Sequence, residues 1–201
     1  DTKDLGDFVI AKDETTPLYH FAVVADDHDM KISHVIRGED HISNTPRQIL
    51  IQEALEFPRP QYAHTPLILG PDRSKLSKRY GAVSVTEYRK RGYLPQAFSN
   101  YLALLGWNPG TDDELFSMDE LADLFTLEQV QMSGAVFDET KLRWFNREHM
   151  LRMEESAFWE HAEEFLSEKT VTMLDSKGLW RSVVPVIRER AHTFADIREM
   201  D

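Results

Sequence analysis

Two apolar runs on either side of a marked helix start constrain this chain more than any other feature. His34-Val35-Ile36-Arg37-Gly38 reads as a short buried strand, and Tyr62 to Leu69 reads as another, closed by Gly70-Pro71-Asp72. Between them Thr45 stands as an N-cap, Pro46 at the first helical position and Gln48 as the far side of a capping box, ahead of the body Ile49 to Leu55. Strand, helix, strand in that order is the right-handed crossover unit of an open parallel sheet. Ligands of such sheets sit outside the carboxyl ends of the strands. Those ends carry Arg37, Glu39, Asp40 and His41 in one case and the Gly70 to Arg79 loop in the other, so both charged clusters are expected on one rim.

Before this unit, Phe8 to Lys12 reads as a strand ended by the polar run Asp13 to Pro17, and Tyr19 to Ala25 fits helix or strand. After Gly81 the patterning turns helical. Ser84 and Glu87 form one expected capping box, and Ser117 and Glu120 another. Leu94, Ala97, Phe98, Tyr101, Leu102 and Leu105 make one helix face stopped by Gly106, with a turn at Asn108-Pro109-Gly110. Asp138 to His149 is a further helix with Leu142 and Phe145 buried, and amphipathic helix returns from about Glu154. The expected fold is α/β at the start, residues 1–73, then mostly helical over 74–150 and 151–201.

The strongest chemical feature is Lys75-Leu76-Ser77-Lys78-Arg79, which places several cations on one loop. Nucleotidyl and phosphoryl transfer need such charge, because negative charge spreads over phosphate oxygens in the transition state. A lysine-rich loop is more often a solvated patch, and no GxxxxGK[ST] or GxGxxG phosphate loop occurs. Between Arg73 and Arg91 seven basic residues face one acid, Glu87, on a chain whose formal net charge is -12. That acidic balance argues against wholesale nucleic-acid binding and confines a phosphate partner to the basic stripe. Arg37 has two readings: a salt bridge to Glu39 or Asp40, or a fork for a carboxylate substrate. Asp26-Asp27-His28-Asp29, with Asp40 and His41, could hold a divalent ion in a metal-dependent hydrolase. Acidic turns are common, and a structural metal is not expected. With no cysteine the chain has neither a disulfide nor a thiolate metal site, which fits the cytoplasm; it also has no apolar run long enough to span a bilayer. A chain opening on Asp1, with Phe8-Val9-Ile10 close behind, reads as an excerpt of a larger protein.

Taken in order, Thr16-Pro17-Leu18-Tyr19-His20-Phe21-Ala22-Val23-Val24, Asp26-Asp27, His34 to His41 and Asn44-Thr45-Pro46-Arg47-Gln48 resemble the second half of the catalytic domain of bacterial-type glutamyl-tRNA synthetases. Lys75 to Val85 is similar to that family's form of the class I KMSKS loop. Gly92-Tyr93-Leu94-Pro95, Asn100 to Trp107, Phe137-Asp138 and Lys141-Leu142-Arg143-Trp144 resemble its stem-contact domain. The likeness is dense from about residue 7 to 150 and weaker beyond. It implies the C-terminal half of a Rossmann-type domain over 1–73, a stem-contact domain over 74–150 and the start of a helical anticodon-binding region over 151–201. The implied activity is ATP-dependent formation of glutamyl-adenylate and transfer to tRNA(Glu), by a cytoplasmic monomer. Tyr19, Val23 and Arg37 would then hold glutamate, and Asp40, His41 and the backbone of Ile68 would meet the ATP ribose and adenine. Lys75, Leu76, Ser77, Lys78 and Arg79 would line the phosphates, with Lys75 and Lys78 catalytic and Mg²⁺ arriving on ATP. The HIGH signature of the family is absent, so the chain alone is expected to be inactive. Tyr80 and Ser74 also depart from the commoner histidine and lysine. A non-catalytic RNA-binding paralogue and a glutaminyl-tRNA synthetase-like ligase are the alternatives.

Overall fold

The structure is a computed structural model that describes residues 5–76 and 84–200. The chain divides into two compact units, Asp1–Leu67 and Ile68–Asp201.

In the first unit, β1 (Ala11–Asp13) and β2 (Thr16–Pro17) form a small antiparallel hairpin. The first strand is shorter than the apolar run from Phe8. Asp13 Oδ1 accepts from both the amide and the hydroxyl of Thr15, at 2.9 Å each, and turns the chain at once. The ambiguous run from Tyr19 is helix α1 (Tyr19–Asp29), with Val24 on its buried side. Strand β3 (His34–Gly38) and strand β4 (Gln61–Thr65) pair in parallel, from His34 opposite Gln61 to Gly38 opposite Thr65. A 3-10 turn, Glu39–Asn44, and helix α2 (Thr45–Ala54) connect them. Alternation along the pair leaves Val35, Arg37, Tyr62 and His64 half-buried on one face, while His34, Ile36, Gln61 and Ala63 are exposed on the other. The second strand stops four residues short of the expected Leu69, since Pro66 has no N–H to extend the ladder. Helix α2 packs on α1 and buries two glutamines, Gln48 and Gln52, beside Ile51.

The second unit opens with a hairpin. Leu76 N donates to Ile68 O at 2.9 Å, Gly70 N donates to Ser74 O at 2.8 Å, and Arg73 takes a left-handed φ of 62° at the turn. Leu69 is also bonded to the stretch ahead of a later helix, donating to Ala135 O and accepting from Phe137 N. Among the described residues that follow are the helices α3 (Val85–Lys90), α4 (Pro95–Gly106), α5 (Met118–Leu124), α6 (Glu139–Arg152), α7 (Glu155–Glu163), α8 (Glu168–Ser176) and α9 (Trp180–Arg190). Of the two capping boxes expected here, the one at Ser117 and Glu120 forms in both directions. The one at Ser84 does not. Its hydroxyl meets Thr86 Oγ1 at 2.6 Å, and Glu87 pairs with Arg91 instead.

Helices α4 and α6 pack together, burying Tyr101, Leu142 and Phe145. Another cluster runs from Leu94, Ala97 and Met150 into Phe158, Ala162, Val184, Phe194 and Ile197, so residues on both sides of position 150 share one core. Periodicity did not reveal Asn100, which is fully buried on the apolar face of α4. Its Oδ1 accepts from Phe116 N at 2.9 Å and its Nδ2 donates to Glu114 O at 3.0 Å, so it holds the loop that follows α4. Among the described residues no helix is long and apolar enough to cross a membrane.

Candidate functional site

Arg37 is the penultimate residue of β3 and sits opposite His64 in the parallel register. Its Nη2 donates to Thr45 Oγ1 at 2.8 Å and to Gln48 Oε1 at 2.7 Å, and its Nε points at His64 Nε2 at 3.5 Å. Thr45 Oγ1 lies 3.0 Å from the same His64 nitrogen. Guanidinium has no acceptor and donates only, so His64 Nε2 must offer a lone pair and the ring is neutral. Burial pushes the His64 pKa down, and the charge of Arg37 pushes in the same direction.

Two sequence expectations are corrected here. Of the salt bridge to Glu39 or Asp40, the Glu39 half does not form among the described residues: Glu39 Oε1 accepts from Leu67 N at 3.3 Å, and the guanidinium donates to Thr45, Gln48 and His64. Thr45 and Gln48 do not cap α2 either. Asn44 holds the N-cap position, the chain enters directly from a 3-10 turn, and both side chains turn to Arg37. Gln48, 1% exposed, keeps its Nε2 buried without a partner. Thr45, Gln48 and His64 are thus the neighbours that sequence reasoning missed. The signal for His64 was available, since aligning the two strand ends puts it next to Arg37.

Tyr19 begins α1, is half exposed, and brings its hydroxyl to 3.4 Å from His41 Nδ1. Asn44 Nδ2 reaches the same His41 nitrogen at 3.1 Å, and Thr45 Oγ1 approaches His41 O at 3.3 Å. Tyr19, Arg37 and His41 therefore belong to one polar network at the carboxyl end of β3. Val23 lies one helical turn beyond Tyr19 and is half-buried. His20 has its pKa lowered by burial first, then by Arg47 and Arg37. Asp40 is exposed and folds back over Gly38. A Cβ at Gly38 would fall 2.6 Å from Asp40 Oδ1, so the glycine leaves room for that carboxylate. Among the described residues no group of three or more His, Cys, Asp or Glu is placed to hold a metal ion. His28 stacks flat on Phe57 with ring centroids 3.6 Å apart.

In the second unit, Ile68, Lys75 and Leu76 lie on the opening hairpin. The carbonyl of Ile68 is taken by Leu76 N, and Lys75 is exposed opposite Leu69. Ser74, where a lysine is common in the resembling family, instead donates its amide and hydroxyl to Asp72 Oδ1 at 3.0 and 2.8 Å, closing the turn. Ser77, Lys78, Arg79 and Tyr80 lie outside the described residues.

Residues 1–144 match the family described as tRNA synthetases class I (E and Q), catalytic domain. The chain belongs to that family. A glutamate–tRNA ligase of Carboxydothermus hydrogenoformans is 57% identical over 146 residues, covering 73% of this synthetase chain and 30% of the relative. One from Moorella thermoacetica is 44% identical over 207 residues, covering 97% of this chain and 41% of the relative. Among solved structures, a glutamate tRNA ligase from Elizabethkingia meningosepticum in complex with its amino acid superposes with a TM-score of 0.83 at 34% identity, over 98% of this chain and 43% of that one. The glutamate–tRNA synthetase of Elizabethkingia anophelis gives 0.87 at 36% identity, with the same coverage. The class I synthetase chain thus spans well under half the length of these relatives, and its mixed α/β fold with a mainly helical second part is theirs.

Proposed function

We propose that this synthetase chain works within a ligase of its relatives' length, activating glutamate with ATP and passing it to tRNA(Glu). The observation that carries this is Arg37. Its guanidinium is held at a strand end by three neutral partners, while Nη1 has no partner among the described residues. A cation oriented in this way suits an anionic ligand better than a structural ion pair. The matched family covers both E and Q, and the relatives named above are glutamate ligases.

In this assignment Tyr19, Val23 and Arg37 hold glutamate. Asp40, His41 and the backbone of Ile68 meet the ribose and adenine of ATP, and Lys75, Leu76, Ser77, Lys78 and Arg79 line its phosphates. A carboxylate oxygen of glutamate attacks the α-phosphorus and pyrophosphate leaves with the electron pair of the broken P–O bond. A hydroxyl at the tRNA 3′ end then attacks the acyl carbon of the adenylate, and AMP leaves. Neither step needs a protein nucleophile, so the residues supply alignment and charge. Lys75 and Lys78 stabilise charge on the α-phosphate and the departing pyrophosphate, and Mg²⁺ arrives with the nucleotide rather than on protein ligands. Residues 74–150 would meet the tRNA stem and residues 151–201 would begin the anticodon-binding region, where Met173 on α8 and Leu179 in the turn before α9 are exposed. The ligase is placed in the cytoplasm as a monomer.

The test is glutamate-dependent ATP–pyrophosphate exchange in a full-length ligase carrying this segment. Replacing Lys75 or Lys78 by alanine should slow exchange by about a hundredfold or more, with the circular dichroism unchanged. Near-unaltered exchange in both variants would remove the phosphate role of the loop, and exchange supported by glutamine instead of glutamate would change the substrate.

A further inference from the structure

Two apolar clusters of the second unit leave a gap between them. Tyr88 and Phe98 belong to one, and Phe165 and Phe194 to the other. All four line a cavity of about 310 Å³. That volume is at the lower end of small-molecule sites, with room for one or two rings.

Its lining is aromatic from both clusters. The rings of Tyr88, on α3, and Phe98, on α4, have centroids 4.8 Å apart. His161, on α7, and Phe165, just beyond it, each lie within 30° of parallel to Phe194, at 5.4 and 6.2 Å. Apolar surface left facing water is unfavourable by about 25 cal/mol per Å², and aromatic faces reward an offset or edge-on ring. A flat aromatic group is the occupant that such a lining suits.

Two opposite charges join these rings around the cavity. Arg89 stands in the last turn of α3 and Glu164 at the C-cap of α7. Both are exposed, and among the described residues neither side chain makes an ion pair or hydrogen bond, with the other or with any third group. One cation and one anion give no preference for a ligand of a single sign. They complement a ligand that carries both charges beside its ring.

We propose that this cavity binds a free aromatic amino acid as its zwitterion, with the ring among Tyr88, Phe98 and Phe194, the carboxylate on Arg89 and the ammonium on Glu164. An aromatic residue inside a peptide lacks both charges, so the free amino acid is the form selected. No residue of the ligase assignment lines this cavity, so either idea can fail without the other.

The experiment is calorimetric titration of the 201-residue chain with L-tryptophan at near-physiological salt. Three analogues accompany it: tryptamine without the carboxylate, indole-3-propionate without the ammonium, and N-acetyl-L-tryptophanamide without either charge. Saturable binding of L-tryptophan is expected, with each analogue weaker by about threefold or more, the contribution of an exposed ion pair. Arg89→Gln should weaken L-tryptophan about threefold and leave tryptamine unchanged. Glu164→Gln should weaken L-tryptophan by a similar factor and leave indole-3-propionate unchanged. No saturable heat with L-tryptophan, or an analogue that binds as tightly, would overturn the site. So would a variant that weakens L-tryptophan and its matched analogue equally, or one that weakens neither.

Discussion

Both protons of Arg37 Nη2 are engaged, at 2.8 Å by Thr45 and 2.7 Å by Gln48, which orients the guanidinium and leaves Nη1 for a ligand. Under the proposed assignment Gln48 is a positioning residue. Its removal should leave Arg37 charged but loosely aimed, whereas a carboxylate in its place should neutralise the charge proposed to meet glutamate. Gln48→Ala is expected to raise the KM for glutamate about threefold to tenfold with little change in the KM for ATP, and Gln48→Glu to raise it further. The reverse order, measured by ATP–pyrophosphate exchange, would show that the glutamine acts only through packing. Arg37 itself was legible from sequence, because a cation at the end of an apolar strand demands an explanation. Its helpers were not. Thr45 and Gln48 carry a helix-start signature that fits a capping box equally well, and only the tertiary position of Arg37 decides between the two uses.

Helix starts show the same competition between local chemistry and surroundings. Ser117 accepts from Glu120 N while Glu120 reaches back to Ser117, and hydrogen bonding to Ser117 holds the Glu120 carboxyl below its usual pKa. Ser84 has the same spacing to Glu87 but makes no cap. Ser117→Ala should cost about 1 kcal/mol and Ser84→Ala only a few tenths, as read from urea denaturation midpoints. Equal losses would mean that the Ser84 cap forms in solution. Strand and helix order, the parallel pair and the α4 face could be read from periodicity, since those patterns follow burial directly. The length of β4 could not, because the apolar run continues through Pro66 into a hairpin belonging to the second unit.

At the scale of the whole chain, polar pins hold together what the apolar clusters only bring close. Asn146, fully buried on α6, accepts from Leu94 N at 2.7 Å and donates to His192 O at 2.7 Å. Asp196 accepts from His192 N and Thr193 N, both at 2.9 Å, and pairs with Arg143 at 3.0 Å, bonds that hold its pKa below the usual value against the opposing effect of burial. Gly92, at φ 77°, has no room for a Cβ, which would fall 2.5 Å from Ala195 N. The stretch from His192 to Asp196 is thereby fastened to the turn ahead of α4. Asn146→Leu should cost about 2 kcal/mol, because it strands the buried Leu94 amide and takes away the donor of the half-buried bond to His192 O, and hydrogen exchange should quicken at both Leu94 and Phe194. A loss confined to one of them would show that the two stretches open independently.

The direct measurement of the proposed chemistry is the pair of KM values, for glutamate and for ATP, in Arg37→Lys of the full-length ligase, followed by pyrophosphate exchange. Lysine keeps the charge but cannot bond Thr45, Gln48 and a carboxylate together in one plane. The expected result is a KM for glutamate raised about tenfold or more with the KM for ATP nearly unchanged. Equal increases for both substrates, or none for glutamate, would contradict the assignment of Arg37 as the amino-acid anchor.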